Sequence, residues 1–327
     1  MKKLMHRRGR PQASLSLPLR QWVLASLLLR RWAPVCLALI VFAACRKETA
    51  TPAPPPSSAT SDLVITPAGY MPRSSVHYIA PGYHLSVENG RLQKMETSTG
   101  RTIEDFGPVT ITPTRRVPEA QGWIAYAFWN NTGAAITSFT TNWVVPSFPA
   151  NRGSQTLFLF NGMQDGTTAS SYIIQPVLQW GPSAAGGGKY WAITNWYVSS
   201  SQAFFGSLVR VSAGASLTGV MKETAVSGSN YSYNSSFTGY SSASALQVNN
   251  VPQAFWAAET LESYGVTSPG TMYPPNTDIA MKSIQILQGS TNASISWTPV
   301  QQVSGSAQRA VVVSNASPGG EVDIYFR

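Results

Sequence analysis

The sequence predicts an all-β protein, an antiparallel β-sandwich with a small N-terminal segment, and two observations lead to that fold class. Short runs rich in β-branched and aromatic residues recur between residue 119 and the C-terminus, mostly bounded by Gly, Pro, Asn or Ser, which is typical of strands and turns. No window of a dozen residues there shows the 3.6-residue apolar period of a helix. We therefore expect residues 119–327 to form the sandwich.

The predicted strands are seven short runs and one longer segment. The short runs are 138–145, 155–160, 172–175, 192–198, 207–212, 292–297 and 310–313, and the longer segment is 253–265. Pro176 directly follows one run and predicts an edge position or a bulge there, because proline cannot donate to a ladder. The Gly-rich loop 183–189 lacks the helix that a phosphate-binding loop requires, so we interpret it as a hairpin connection.

The N-terminus has the pattern of a signal peptide. Residues 1–44 carry eight Lys or Arg and no Asp or Glu, and they end in the apolar run 32–44. This run is too short to cross a hydrocarbon core, which takes ~20 residues. It ends in small residues before Cys45 and so resembles the lipobox of bacterial lipoproteins. The resemblance implies a lipid on Cys45 and a place in the bacterial cell envelope, outside the cytoplasm, on the outer membrane in a Gram-negative cell; an ordinary signal peptide is the alternative.

Two further segments precede the sandwich. Residues 45–62 are rich in Pro, Ser and Thr and are typical of a tether. Residues 63–118 form the small N-terminal segment, a candidate pro-segment with several prolines and a charged stretch. Arg115 and Arg116 near its end are either a processing site or a pair of charges in a solvated loop.

Charge and cysteine content exclude several classes of function. The chain has 23 basic and 14 acidic residues, but without residues 1–44 the basic ones number 15. No basic patch with interleaved aromatic residues remains, so we do not expect a nucleic-acid partner. Cys36 lies in the signal peptide and Cys45 is the lipid site, so the mature chain has no disulfide and no cysteine nucleophile or zinc site.

Histidine is equally scarce, which limits the chemistry of the sandwich. The three histidines are His6, His77 and His84, and all precede residue 119. A Ser-His-Asp triad and a histidine-based metal site are therefore not expected, nor is a cofactor. Acid–base chemistry in the sandwich would have to come from carboxylates, amides, hydroxyls or lysine.

Two glutamates lie in the apolar segment 253–265, which is unusual in a chain with 11% charged residues. If the segment is a strand, side chains alternate between two faces. Glu262 then shares one face with Thr260 and Tyr264, and Glu259 lies on the other. One of the two can therefore lie in a cleft.

Six motifs in order resemble the eqolisins, or glutamic peptidases. The motifs are 122–128, 139–146, 157–163, 172–175, 189–197 and 257–264. The resemblance implies a concanavalin-like jelly roll that hydrolyses polypeptides with one glutamate and one glutamine. Glu262 falls on the position of the family's catalytic glutamate and Gln175 on that of its glutamine, which implies that Glu259 is a bystander.

These residue types suit peptide hydrolysis. A glutamate can take a proton from the attacking water and return it to the leaving amine, and a glutamine can hold the water and the oxyanion. Free glutamate has a pKa of ~4.3, so we expect activity at acidic pH. Gln175 must share a face with Glu262 on a nearby strand, and Gln179, which lies on the same face as Gln175, is its rival.

The leading hypothesis is therefore a secreted, lipid-anchored endopeptidase. We expect its substrates to be polypeptides and the protein to be a monomer. A non-catalytic carbohydrate- or protein-binding module is the main alternative, because the sandwich is rich in tryptophan and tyrosine. A structural envelope lipoprotein without a defined ligand is the third.

Overall fold

A computed structural model describes residues 62–110, 112–113, 121–166, 169–199, 201–304 and 306–327. These residues belong to a compact unit that extends from Pro56 to Arg327. The signal peptide, Cys45, the tether up to residue 61 and the pair Arg115 and Arg116 lie outside the described residues, and the hypotheses about them stay predictions. Within the described ranges, no helix has the length and apolar character needed to cross a bilayer.

Two large sheets dominate the unit, and the first of them has nine strands. In spatial order sheet 1 contains β22 (Thr298–Gln301), β8 (Gly122–Asn130), β19 (Trp256–Tyr264), β10 (Thr156–Gln164), β12 (Tyr172–Ser183), β13 (Gly186–Ser199), β14 (Ala203–Phe205) and β3 (Val76–Tyr78), with β15 (Val209–Arg210) also beside β13.

The second sheet has eleven strands. In spatial order sheet 2 contains β23 (Arg309–Ser314), β24 (Gly320–Tyr325), β20 (Asp278–Gln288), β9 (Ile136–Val144), β16 (Ser216–Ser227), β17 (Asn230–Phe237), β18 (Leu246–Val251), β4 (Tyr83–Glu88), β5 (Arg91–Glu96) and β6 (Thr102–Pro108), with β21 (Thr291–Asn292) also beside β20.

The remaining elements are small. They are the hairpin of β1 (Leu63–Thr66) and β2 (Gly69–Pro72), the pair of β7 (Thr112–Pro113) and β11 (Ala169–Ser170), the helix α1 (Pro269–Met272), and the 3-10 turns Arg73–Ser75 and Ser242–Ser244.

The hydrophobic core lies between the two sheets. Phe139 and Trp143 of β9 in sheet 2 belong to the same buried cluster as Leu159 of β10 and Leu178 of β12 in sheet 1. Burying such side chains removes roughly 25 cal/mol of unfavourable hydration for each Å² of apolar surface, which drives the two sheets together. The predicted all-β sandwich is confirmed.

Most of the predicted strands are present, but two runs are largely outside a strand, and of the run 207–212 only Val209–Arg210 forms one. The run 292–297 contributes only its first residue to a strand, since β21 ends at Asn292. Ala293, Ile295 and Trp297 are buried in the core at every second position, as in a strand. However, the Trp297 amide donates to Asn315 Oδ1 at 2.8 Å and not to a neighbouring strand. Residues 293–297 therefore show the alternating burial of a strand but do not belong to one.

Pro176 was expected at an edge or a bulge, and the edge position is wrong. It lies in β12, which has β10 on one side and β13 on the other. The pairing of β12 with β10 skips Gln175 and Pro176 between Ile174 and Val177, so the missing proline N–H interrupts only one side of the ladder. The loop 183–189 does connect a hairpin, that of β12 and β13.

The N-terminal segment adds strands to both sheets. β3 pairs in parallel with β14 at the end of sheet 1, and β4 pairs in parallel with β18, so that β4, β5 and β6 extend sheet 2. The hairpin of β1 and β2 has no ladder to either sheet among the described strands, and β7 pairs only with β11. Whether the segment is a pro-segment stays a prediction.

Candidate functional site

The candidate site lies on the outer face of sheet 1, where three neighbouring strands bring two polar side chains into line. Phe158 of β10 is the Cα partner of Glu262 in β19 and also of Gln179 in β12. Residues opposite each other in a sheet share a face, so all three point the same way. With strands ~4.8 Å apart, the Cα atoms of Glu262 and Gln179 are ~10 Å apart, within the combined reach of the two side chains and one water.

The two glutamates of β19 lie on opposite faces, as alternation predicts. Glu259 points into the space between the sheets, where it is fully buried and accepts a hydrogen bond from Thr141 Oγ1 of sheet 2 at 2.5 Å. Burial raises the pKa of Glu259 well above its ordinary value, and the hydrogen bond from Thr141 opposes this shift. Glu259 is therefore a group of the interior, on the face opposite to that of Glu262.

Gln175 shares the outer face but lies further from Glu262 than Gln179 does. It precedes Gln179 by four residues in β12, which is ~13 Å along a strand, so its Cα is ~16 Å from that of Glu262. The Gln175 amide is fully buried, and neither its oxygen nor its nitrogen has a hydrogen-bond partner among the described residues. The structure thus brings Gln179, and not Gln175, into register with Glu262.

Glu262 is held by a tyrosine on its own strand. Tyr264 lies two residues further on the same face, and its hydroxyl donates a hydrogen bond to Glu262 Oε1. The second carboxyl oxygen, Oε2, is buried and has no partner in the described part of the chain. Burial raises the pKa of Glu262 to about 8, while the bond from Tyr264 lowers it. In this conformation Glu262 is mostly protonated at neutral pH. Among the described residues, none binds Oε2.

Gln179 is fixed by the hairpin that follows it. Its Nε2 donates to the carbonyl oxygens of Gly181 at 2.7 Å and Gly186 at 2.9 Å, and its Oε1 accepts from Ser183 Oγ at 2.8 Å. Both amide hydrogens are therefore used, and one lone pair of Oε1 remains. That lone pair can accept a hydrogen bond from a water.

The hairpin requires glycine beside the glutamine. Gly187 has φ of +103°, and a Cβ on it would lie 2.3 Å from Gln179 Nε2. Any larger residue would displace the amide. The Gly-rich loop, which the sequence identified only as a connection, therefore sets the position of Gln179.

A row of aromatic side chains continues the same face beyond Glu262. Trp123, the Cα partner of Glu262 in β8, contacts Tyr126 with ring centroids 5.1 Å apart. Phe128 of the same strand stacks on Trp256 at 5.6 Å. Trp123, Tyr126 and Phe128 are partly exposed. They give the face an apolar surface suited to side chains of a peptide or to sugar rings.

Sequence reasoning missed two of these residues. Tyr264 and Ser183 orient Glu262 and Gln179, respectively, but neither was singled out for a role. Tyr264 could have been found, because residues i and i+2 of a strand share a face. Ser183 could not, because its contact depends on the shape of the hairpin. Within the described ranges, no group of three or more His, Cys, Asp or Glu is arranged to hold a metal ion.

The comparisons with known proteins give solved structures only. No family model matches the sequence, and no curated protein matches it. Scytalido-glutamic peptidase with a peptide-based transition-state analogue matches at a TM-score of 0.41 and 15% identity, over 62% of this chain and 98% of the peptidase. The same peptidase with a transition-state analogue inhibitor matches at 0.40 and 16%, over 63% and 98%.

A third similar structure is SCP-B, a member of the eqolisin family in complex with the tripeptide Ala-Ile-His, at a TM-score of 0.41 and 13% identity, over 63% of this chain and 98% of SCP-B. This chain resembles the eqolisins distantly. Identities of this size concern the fold alone, and the activity of this chain is inferred from its own residues.

Proposed function

We propose that this chain is a glutamic-type endopeptidase that hydrolyses peptide bonds with Glu262 and Gln179. The observation that carries the proposal is the pair itself, a buried glutamate with one unpartnered oxygen, in register with a glutamine across a single strand. An unsatisfied buried polar atom lowers the stability of the fold by roughly 1–3 kcal/mol, so a carboxyl group in this position is more readily explained by a function than by stability. The motif series in the sequence supports a peptidase with Glu262, although it assigns the glutamine to Gln175.

The partner in this proposal is Gln179 and not Gln175, the residue favoured by the sequence. The register puts Gln179 directly across β10 from Glu262, while Gln175 is displaced along its strand. Glu262 and Gln179 can hold one water between Oε2 and the free lone pair of Oε1. Gln175 would need a longer chain of waters.

The chemistry follows from these groups. An ionised Glu262 takes a proton from the held water as the water oxygen attacks the peptide carbonyl carbon, and the proton then passes to the leaving amine. Tyr264 keeps the carboxylate oriented through Oε1. Because Nε2 of Gln179 is bound to two carbonyls, Gln179 orients the water in this arrangement, and oxyanion stabilisation by Nε2 requires release of one of those bonds.

The proposal extends to the predicted anchor. The chain is lipid-anchored through Cys45 in the cell envelope and cleaves polypeptides outside the cytoplasm, and the acidic optimum expected from the sequence applies to a Glu262 that has the pKa of a solvated glutamate, ~4.3. Substitution of Cys45 by serine should leave the protein in the soluble fraction and without incorporated fatty acid. Incorporation of fatty acid into that variant would exclude the anchor.

The activity is tested with purified protein covering Pro56–Arg327, the compact unit, on a denatured protein across a pH series. Glu262→Gln should abolish cleavage. The matched control is Glu259→Gln, a change of the same kind on the same strand but on the inner face, which should leave cleavage within a few-fold of the parent. Cleavage that persists in Glu262→Gln would rule out the assignment.

The two glutamines are separated in the same assay. We expect Gln179→Ala to lower kcat by about 100-fold, a typical loss for one group that acts on the reacting atoms. Gln175→Ala should cost much less. A larger loss of kcat in Gln175→Ala than in Gln179→Ala would favour Gln175 as the partner of Glu262, as the sequence predicted.

The aromatic row favours a second candidate, a carbohydrate- or protein-binding module without catalysis. Trp123, Tyr126 and Phe128 present partly exposed rings on one face, as surfaces that stack on sugars or peptide side chains do. Binding of a glycan or peptide that survives Glu262→Gln, with no hydrolysis at any pH, would support this candidate over the peptidase.

A further inference from the structure

The hairpin of β1 and β2 lies over the candidate site. Ile65, Ala68 and Met71 pack against the outer-face cluster that contains Phe158, the strand partner of both site residues. The turn of the hairpin is fixed locally, since Thr66 Oγ1 donates to the Gly69 carbonyl at 2.9 Å. The hairpin is therefore an ordered element seated on the outer face of sheet 1.

The hairpin contacts both sides of the Glu262–Gln179 pair. On one side, the Ala184 amide donates to the carbonyl oxygen of Ile65 at 2.8 Å, and Ala184 directly follows Ser183, which binds Gln179. On the other side, the Tyr70 ring meets the Tyr264 ring edge-to-face at 5.6 Å. Tyr264 is the residue that donates to Glu262.

The turn also approaches the carboxyl group itself. A Cβ on Gly69 would lie 3.9 Å from the Tyr264 hydroxyl oxygen, and Gly69 has φ of +100°, which favours glycine. Glu262 is fully buried beneath these contacts. A polypeptide substrate needs access to Glu262 Oε2, and a closed hairpin denies it.

We infer that the hairpin Leu63–Pro72 is an internal inhibitor that closes the substrate cleft and must leave before a polypeptide can enter. This inference rests on the proposed function, because it assigns the cleft to a polypeptide. The hairpin resembles an occupant of that cleft: its backbone carbonyl accepts from the Ala184 amide as an added extended chain would, and its side chains fill the apolar surface.

Opening can be confined to the hairpin. The next residues, from β3 onward, pair with β14 and then extend sheet 2, so they belong to the sandwich. The hairpin has no ladder to either sheet among the described strands. Its base carries an exposed ion pair between Arg73 and Asp62 at 3.2 Å, and such pairs contribute little in water. Few interactions therefore hold it closed beyond its apolar contacts.

Two tyrosines of the N-terminal segment provide a matched test by substitution. Tyr70 is 42% exposed and Tyr78 is 45% exposed, so neither change removes a core residue. Tyr70 contacts Tyr264, whereas Tyr78 contacts Phe205 at the far edge of sheet 1. We expect Tyr70→Ala to raise the cleavage rate about fivefold, since an edge-to-face pair contributes a factor of that order, and Tyr78→Ala to leave it unchanged. Equal rates in the parent and Tyr70→Ala would count against the hairpin as an inhibitor.

A cross-link tests the same inference without relying on turnover. The compact unit Pro56–Arg327 contains no cysteine, so Ile65→Cys with Ala184→Cys introduces one defined pair. One backbone hydrogen bond of 2.8 Å, from the Ala184 amide to the Ile65 carbonyl oxygen, joins the two residues and brings their backbones close enough for a disulfide to be tried. The pair is combined with Glu262→Gln, and binding of a fluorescent unstructured peptide is measured by anisotropy in the oxidised and reduced forms.

The outcomes separate this inference from the proposed function. Binding only in the reduced form supports the hairpin as inhibitor, and it does so even if the parent protein never hydrolyses a peptide, in which case the peptidase proposal alone fails. Equal binding in both forms overturns the hairpin inference and leaves the peptidase proposal standing. Absence of binding in both forms also overturns it, since there is then no peptide for the hairpin to exclude.

Discussion

The pH dependence of stability gives a direct measure of Glu262 burial. The pKa of Glu262 is about 8 in the folded protein against 4.5 for an exposed glutamate. The folded state therefore binds the proton more tightly than the unfolded state, so folding stability is full below about pH 4.5 and falls as the pH rises towards 8. The difference in pKa corresponds to about 5 kcal/mol, at 1.36 kcal/mol for each unit.

Glu262→Gln replaces the carboxyl group by a neutral group of the same shape and removes this dependence. At pH 5 the parent and the variant should unfold at similar denaturant concentrations. At pH 8 the variant should be more stable, by several kcal/mol. A gain in stability together with a loss of activity is the mark of a group kept for function.

The assay is urea unfolding of the unit Pro56–Arg327 at pH 5, 6.5 and 8, which gives the free energy of unfolding at each pH. The dependence of that free energy on urea should have the same slope in all proteins, so that differences in midpoint report stability. Glu104→Gln, which removes an exposed carboxylate of the N-terminal segment, serves as the control for loss of a charge away from the site. Glu259 has a raised pKa too, so part of the pH dependence will remain in Glu262→Gln. If the free energy of unfolding depended on pH in the same way in the parent and in Glu262→Gln, burial of Glu262 would not be the source of the pH dependence.

Two further predictions use matched pairs. Gly187→Ala and Gly186→Ala both place a side chain at positive φ, but only the first meets Gln179 Nε2, at 2.3 Å, so we expect Gly187→Ala to lower kcat about tenfold more in a peptide-cleavage assay. Tyr264→Phe removes the hydroxyl that lowers the pKa of Glu262, so the acidic limb of the pH–rate profile should move to higher pH. Tyr273→Phe, which loses a hydroxyl bound to Ser263, should leave that limb in place.

The sequence was sufficient for features that depend on one strand. β19 lies within the predicted segment, and the period of two correctly separates Glu259 from Glu262, because side-chain alternation is a local property of the backbone. The same local reasoning placed Gln175 and Gln179 on one face. It had no means to choose between them.

That choice depends on register between strands. Gln179 is in register with Glu262 because β10 pairs with β12 on one side and β19 on the other, and Phe158 is the partner residue in both pairings. Register is set by the fit of the buried faces and by the turns, over contacts far apart in the chain. A motif of three or four residues carries none of that information, so the resemblance assigned Gln175, whereas the register aligns Gln179 with Glu262.

The hairpin was beyond sequence reasoning for a related reason. Leu63–Pro72 is a short segment whose apolar residues do not by themselves show which surface they cover. What gives it a role is the surface beneath it, which is formed by strands more than 80 residues later in the chain. An element without a ladder to a sheet leaves no periodic signal of where it docks.

The hairpin and the pKa of Glu262 together change the expected pH optimum. The closed hairpin helps to bury Glu262, whose pKa is then about 8, and an open site would return that pKa towards its ordinary value near 4.5. Between pH 4.5 and pH 8, Glu262 therefore takes up a proton when the hairpin closes. Acid favours the closed form and higher pH favours opening. Tyr264, which donates a hydrogen bond to the carboxyl group, keeps its proton in this range, because burial and the neighbouring Glu262 raise its pKa.

The intact chain should accordingly cleave best nearer neutral pH than a solvated glutamate would suggest. Tyr70→Ala weakens closure, so its optimum should shift to lower pH while the rate at the optimum rises. The measurement is the pH–rate profile of parent and variant on one peptide, with Tyr78→Ala as the control. Identical optima in all three proteins would mean that the burial of Glu262 does not depend on the hairpin, because only a contact that changes with opening can couple the proton to the rate.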